Sequence, residues 1–265
     1  MFPRHLITRF EKARLPLELL DRPLFRGAGA GDIVQIDVAR PDRRARQERF
    51  RIFPGAETNR VEALTVDPNL RQLVLLVHEP RRRFENFVSK YQQREPPTGV
   101  VKKTEHGWWI ERFTAERKRH FLAGMDEQHL FIAQLPRATS TVWGAHVALK
   151  GDDVRNAERG AFEKTLRQGE WFFISLLPRE MLEVDHSASG PLARIRKHVG
   201  IAEAAGFRRG GRPHVADEVL VLDGRAYVRG RVRHPDHATL ELREWRRALG
   251  NTESFEQPEG VGFVD

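Results

Sequence analysis

The strongest constraint on the fold is a pattern near the C-terminal end of the chain, where two strand-like runs flank a turn signal. Residues 218–222 are mostly apolar, residues 225–233 alternate between polar and small apolar side chains, and Asp223-Gly224 lies between them. Because glycine accepts the positive φ of a tight primed turn, this dipeptide favours a two-residue hairpin. Residues 239–245 add a third strand. An antiparallel sheet is therefore predicted here.

Other segments of the chain predict a mixture of strands and helices. Apolar runs indicate strands at residues 32–38, 72–77, 108–110, 130–133 and 171–176. Helical spacing of apolar residues and end signals indicate helices at residues 81–94, 142–149, 157–167 and 192–205, with Thr139 or Ser140 capping the second. The whole predicts an α+β protein with an antiparallel or mixed sheet, packed helices and a β-rich C-terminal portion.

The length of the chain, 265 residues, lies between one large domain and two small ones. We expect a larger α+β unit over residues 1–150 and a smaller β-rich unit with the basic hairpin over residues 151–250. Residues 251–265 form an acidic tail. One continuous domain is the alternative.

The charge and the missing cysteines narrow the classes of function. Forty-five Lys and Arg residues against 37 Asp and Glu residues give a formal charge of +8, which favours polyanions as partners. The absence of cysteine excludes disulfides, thiolate zinc sites, iron–sulfur clusters and cysteine nucleophiles, so a divalent metal would need His and carboxylate ligands. No run approaches the ~20 apolar residues of a membrane span, and the N-terminus lacks a signal-peptide core, so a cytoplasmic location without a membrane partner is expected.

A histidine pair flanks a second turn signal, His234-Pro235-Asp236-His237. Proline suits the first central position of a turn, which places the flanking α-carbons within about 7 Å. His234 and His237 can then act as two metal ligands or as an acid–base pair, with Asp236 orienting a ring or binding the metal itself. All three are candidate catalytic residues.

A metal needs more ligands than two histidines, and the candidates are His214, Asp217 and Glu218. They lie at the start of the strand that is predicted to pair with the strand leading to His234. The alternative is that these polar groups cap turns and bind backbone atoms.

A basic face is predicted on the strand before His234. The arginine stripe comprises Arg225, Tyr227, Arg229, Arg231 and Arg233, which alternate with small apolar residues. Arginine binds phosphates and tyrosine stacks on bases, as in sheets that bind single strands. The alternative is a cross-strand ladder neutralised by Glu241 and Glu244. A second basic patch, Arg81, Arg82 and Arg83, is expected on the helix at residues 81–94.

Three functions remain open, and the sequence leaves undecided whether the protein is an enzyme. The first is binding of RNA or single-stranded DNA, within a nucleoprotein complex or alone. The second is a metal-dependent hydrolase or nuclease centred on His234 and His237. The third is a scaffold or protein-interaction subunit that uses Trp108, Trp109 and Trp143.

Overall fold

A computed structural model describes residues 4–25, 31–43, 46–160, 165–189, 194–206 and 212–253. The predicted α+β class is confirmed, because several antiparallel sheets are combined with helices and the C-terminal part is rich in strands. Within the described residues, no helix is both long enough and apolar enough to span a bilayer.

The first half of the chain forms three small sheets and two helices. In chain order the elements are α1 (Arg4–Lys12), β1 (Leu17–Leu19), β2 (Gln35–Ala39), β3 (Arg49–Phe53), β4 (Arg60–Asp67), β5 (Gln72–Glu79), β6 (Arg83–Ser89), β7 (Val100–Lys103), β8 (Gly107–Phe113), β9 (Arg117–Asp126), β10 (His129–Gln134) and α2 (Val142–Leu149). Sheet I has the order β1-β3-β2, sheet II the order β10-β9-β5-β4, and sheet III the order β6-β8-β7. Only the β1–β3 pair is parallel among the described strands.

The second half is dominated by one six-stranded sheet. Its elements are α3 (Asp152–Gly160), β11 (Leu166–Gln168), β12 (Trp171–Ser175), α4 (Pro178–Ser189), β13 (Arg196–Gly200), α5 (Ile201–Ala204), β14 (Val215–Leu222), β15 (Arg225–His234) and β16 (His237–Gly250). Sheet IV has the order β11-β12-β16-β15-β14-β13 and is antiparallel throughout.

The hydrophobic core follows the alternation of side chains along the central strands. In β5, Leu73, Leu75 and Val77 face sheet I and α1, whereas Val74 faces the other side and packs with α2. Sheet IV is also covered on both faces. Val228 of β15 belongs to the cluster that includes α5, and the neighbouring residue Tyr227 belongs to the cluster under α4.

The hairpin predicted from Asp223-Gly224 is confirmed. β14 and β15 pair through Asp223 and Gly224, whose φ angles are +48° and +74°, as a type I′ turn requires. β16 begins two residues before the predicted third strand and runs further. The five strands predicted elsewhere correspond to β2, β5, β8, β10 and β12, and the helix at Val142–Leu149 is confirmed with Thr141 as its cap, in place of Thr139 or Ser140.

Three predicted helices are wrong in whole or in part. The segment at residues 81–94 contains β6, which pairs with β8, because cross-strand packing such as that of Phe87 on Trp109 overrides the helical spacing. The helix predicted at residues 157–167 lies earlier in the chain, because residues 152–160 form α3. Leu166–Gln168 is a strand that pairs with β12. Residues 161–164 lie outside the described part. Residues 196–200, predicted as helix, pair with β14, and only the short α5 follows.

Candidate metal centre

The β15–β16 hairpin brings His234 and His237 together. They are direct cross-strand partners around Pro235 and Asp236, as the turn signal predicted. His214 immediately precedes β14, where Val215 pairs with Arg233, so its ring lies beside that of His234. The ring centroids of His214 and His234 are 4.3 Å apart, and that of His237 lies 5.5 Å and 5.0 Å from the two, respectively.

These three residues form the three-histidine site. One ring nitrogen from each lies within 4.8 Å of the others, and the rings are largely buried. The predicted association of His214 with the histidine pair therefore holds in the structure. Three imidazoles are the protein ligand set of several catalytic zinc sites, in which water takes the fourth position.

Gly169 leaves space in front of two of the imidazoles. It lies in the turn between β11 and β12 with φ +55°, and a β-carbon on it would be 2.8 Å from Nε2 of His237 and 3.0 Å from Nε2 of His214. Both nitrogens therefore border one small volume that any other residue would fill. A cation could occupy that volume.

The described residues do not satisfy the hydrogen-bonding groups of the buried His214 ring. Its residue is 3% exposed, and neither ring nitrogen has a hydrogen-bond partner within the described residues. The Glu170 Oε1 atom lies 3.3 Å from Nδ1, without hydrogen-bond alignment. Burying a polar nitrogen without a partner is unfavourable, which applies above all to Nε2 of His214. Metal-bound histidines commonly face a carboxylate with the second nitrogen. Glu170 is in place to orient His214.

The protonation states also suit metal binding. Burial lowers the pKa of His234, and the neighbouring imidazoles of His214 and His237 act in the same direction. Burial likewise lowers the pKa of His237. Neutral imidazole is the form that coordinates a cation, so little proton release accompanies binding near neutral pH.

The predicted carboxylates Asp236 and Asp217 have different surroundings. The backbone N–H of Asp236 donates to Nδ1 of His234 at 3.2 Å, and its side chain is 3.9 Å from Nε2 of His129. Asp217 lies with the arginine stripe, where it binds Arg231 and Arg233 at 3.2 and 2.5 Å. The backbone N–H of Arg231 and both guanidinium groups hold the pKa of Asp217 well below its usual range. The structure therefore does not place Asp217 with the three histidines, because side chains alternate between the faces of sheet IV.

A second histidine with a carboxylate partner borders the site. His129, at the start of β10, has Nδ1 2.9 Å from Glu48 Oε1, and the other Glu48 oxygen accepts the N–H of Leu130. The His129 side chain is 43% exposed. It lines a small cavity of about 90 Å³, and His234, Asp236 and His237 are also in the wall of this cavity. A carboxylate that fixes one imidazole nitrogen leaves the other free to transfer protons.

Sequence reasoning missed several of these neighbours. No local motif includes His129, Glu48, Gly169 or Glu170. His129 follows the β9–β10 turn, Gly169 and Glu170 form the β11–β12 turn, and Glu48 immediately precedes β3, so their positions at the site depend on tertiary packing. A histidine next to a strand start was the single available signal, and it is too common to be informative.

The arginine stripe exists but is paired and partly covered. Arg225 is 3.6 Å from Glu180 and Arg229 is 2.7 Å from Glu218. Tyr227 is 3% exposed beneath α4, where its hydroxyl donates to Glu180 at 3.3 Å. The tyrosine is therefore not available for stacking on a base. These acidic partners come from β14 and α4, whereas the alternative of a cross-strand ladder named Glu241 and Glu244.

The other predicted surface residues also have defined neighbours. Arg81 lies 4.2 Å over the Phe113 ring, Arg82 is 3.5 Å from Asp32, and Arg83 forms an ion pair with Glu111. Of the three tryptophans considered for a protein interface, Trp108 is buried, Trp109 is half-buried and Trp143 is 77% exposed.

Comparisons of the chain with protein-family models, with curated proteins and with solved structures find no significant match.

Proposed function

We propose that the protein is a divalent-metal-dependent hydrolase whose centre is the three-histidine site. The observation that carries the proposal is the convergence of three imidazoles, two buried and one half-buried. One of them, His214, has no hydrogen-bond partner on either nitrogen within the described residues. Because the chain has no cysteine, the ligands are nitrogen and oxygen atoms, a set that suits zinc and other first-row transition metals.

The residues around the site supply the remaining functions of a hydrolase. A metal held by three imidazoles keeps a position for water and lowers the pKa of that water to about 7. Glu170 orients His214, while His129, held by Glu48, is the group placed to move a proton. Glu170 and His129 lie at different turns, and both line the small cavity together with His234 and His237.

The test is hydrolysis of a panel of chromogenic esters, covering phosphomonoesters, phosphodiesters and carboxylic esters. We expect turnover that chelation removes and added Zn²⁺ or Mn²⁺ restores. His237→Ala should lower the rate by at least about a hundredfold, because one metal ligand is lost. His186→Ala, a change of the same kind on the exposed face of α4, should leave it unchanged. Turnover that survives chelation, or no metal-dependent turnover with any ester, would contradict the proposal.

Nucleic-acid binding stays a proposal that rests on net charge. The described arginines of the stripe have acidic partners, and Tyr227 is covered, so the stripe offers less to a single strand than its sequence indicated. A polyanion that is held by charge alone loses affinity steeply as salt rises. Titration of single-stranded RNA and DNA at two salt concentrations measures this directly.

A further inference from the structure

A larger cleft opens beside the three-histidine site. Its volume is about 490 Å³, and it shares His129, Leu130 and Asp236 with the walls of the small cavity. Pockets of about 300–1,000 Å³ are the usual size for small-molecule ligands. We call it the arginine cleft, because Arg40, Arg46 and Arg71 are in its wall.

Three arginines and two acidic residues line the arginine cleft. Its two acidic residues are turned to other partners: Glu48 binds His129 and the N–H of Leu130, and the Asp236 carboxylate is 3.9 Å from both His129 and Arg212. Arg71 is held in place by contacts to Met125 Sδ and to the carbonyl oxygen of Arg14, and its buried Nε has no partner within the described residues. The wall of the cleft thus contains three guanidinium groups, and the cleft adjoins the three-histidine site through His129 and Asp236.

We propose that the arginine cleft binds the phosphate group of a small-molecule substrate. The inference rests on the proposed function for what happens to that substrate, but binding itself can be measured without a metal. Guanidinium groups bind phosphate oxygens through paired, charge-assisted hydrogen bonds. A substrate whose phosphate lies in this cleft is next to His129 and Asp236, which the cleft shares with the small cavity at the three-histidine site. The binding energy of the phosphate group then holds the bond to be hydrolysed in position.

Calorimetric titration of phenyl phosphate tests the site. Benzoate and benzyl alcohol are the comparison compounds, because they have the same aromatic ring with a carboxylate or an uncharged hydroxyl group in place of the phosphate. Each is titrated into the full chain, both metal-loaded and metal-free. We expect phenyl phosphate to bind both forms and to bind more tightly than benzoate, while benzyl alcohol does not bind. Arg46→Glu should weaken binding to the metal-free form about tenfold, as the loss of a charge-assisted hydrogen bond implies. Arg46 is exposed, so this variant should fold.

Arg43→Glu is the matched control, because Arg43 is also exposed, lies in the same segment and is not in the wall of the cleft. It should leave phenyl phosphate binding unchanged. Equal affinities of wild type and Arg46→Glu would overturn the inference, and so would equal weakening by Arg43→Glu or equal binding of benzoate. If phenyl phosphate binds as expected but no metal does, the inference stands and the hydrolase proposal fails.

Discussion

His234 is the histidine of the site whose coordination requires the largest local change. Its Nε2 lies 3.2 Å from the carbonyl oxygen of Arg212, and its Nδ1 accepts the N–H of Asp236 at 3.2 Å. Binding a metal exchanges one of these hydrogen bonds, each with a net value of about 1 kcal/mol. Coordination by His214 costs no hydrogen bond, because its ring nitrogens have no hydrogen-bond partner within the described residues.

Gly169→Ala should weaken metal binding by about tenfold or more, because the added methyl group enters the volume that His214 and His237 border. The positive φ adds a stability loss of about 1 kcal/mol. Gly224→Ala is the control: its φ is also positive, and nothing lies within 4 Å of the new β-carbon. It should lose similar stability and keep the metal affinity. Titration with Zn²⁺ and urea unfolding separate the two effects; equal metal affinities would exclude Gly169 from the site.

The residues of the centre show how far sequence reasoning reaches. His234 and His237 were paired from a local signal, the Pro-Asp turn, and His214 followed from the Asp223-Gly224 hairpin that fixes the strand register. Asp217 is three residues from His214, yet a β-bulge at this position and the alternation of faces place it with the arginines. Gly169 and His129 come from turns that no local rule connects to the hairpin.

At the scale of elements, helix packing determines which side chains of a sheet face are accessible. α4, which was not predicted, covers part of the arginine stripe, and its Glu180 contacts Tyr227 and Arg225. The period-two pattern correctly gave the face on which these side chains emerge. It could not give the helix that packs on that face, because the helix is specified by a different part of the chain.

Tyr227→Phe should destabilise the protein by about 1 kcal/mol, because the buried hydroxyl loses its hydrogen bond to Glu180. Tyr91→Phe is the matched control, since Tyr91 is 96% exposed, and it should have no effect. Urea unfolding of both variants measures the difference. If Tyr227 were an exposed stacking residue, Tyr227→Phe would leave stability as unaffected as Tyr91→Phe does.

The packing of α2 on sheet II predicts a pH dependence of stability. Burial lowers the pKa of His146, whose Nε2 is 2.7 Å from Gln72 Oε1. Below about pH 6.5 the unfolded chain binds a proton at this histidine that the folded protein does not, so stability falls as pH falls. Above that pH both states are neutral. Unfolding free energies of the metal-free protein at pH 7.5 and 5.5 should differ less for His146→Gln than for wild type; an identical difference would exclude this histidine as a cause.

At the scale of the whole molecule, the candidate centre joins the two halves of the chain. The Ala238 N–H at the start of β16 donates to Glu127 of the β9–β10 turn at 2.8 Å, and Arg167 is 3.6 Å from Asp126 of the same turn. Thr252 donates to the carbonyl oxygen of Ala148 at 2.7 Å, across the expected boundary near residue 150. Of the predicted acidic tail, residues 254–265 lie outside the described part. Because both halves contribute side chains, the centre depends on how they pack together.

The position of a bound metal tests the account most directly. Crystals of untagged protein incubated with one equivalent of Zn²⁺ can be measured at the zinc absorption edge. The account predicts one strong anomalous peak per chain, about 2.0–2.1 Å from a ring nitrogen of each of His214, His234 and His237. A zinc ion bound elsewhere, or no peak at these histidines, would contradict it.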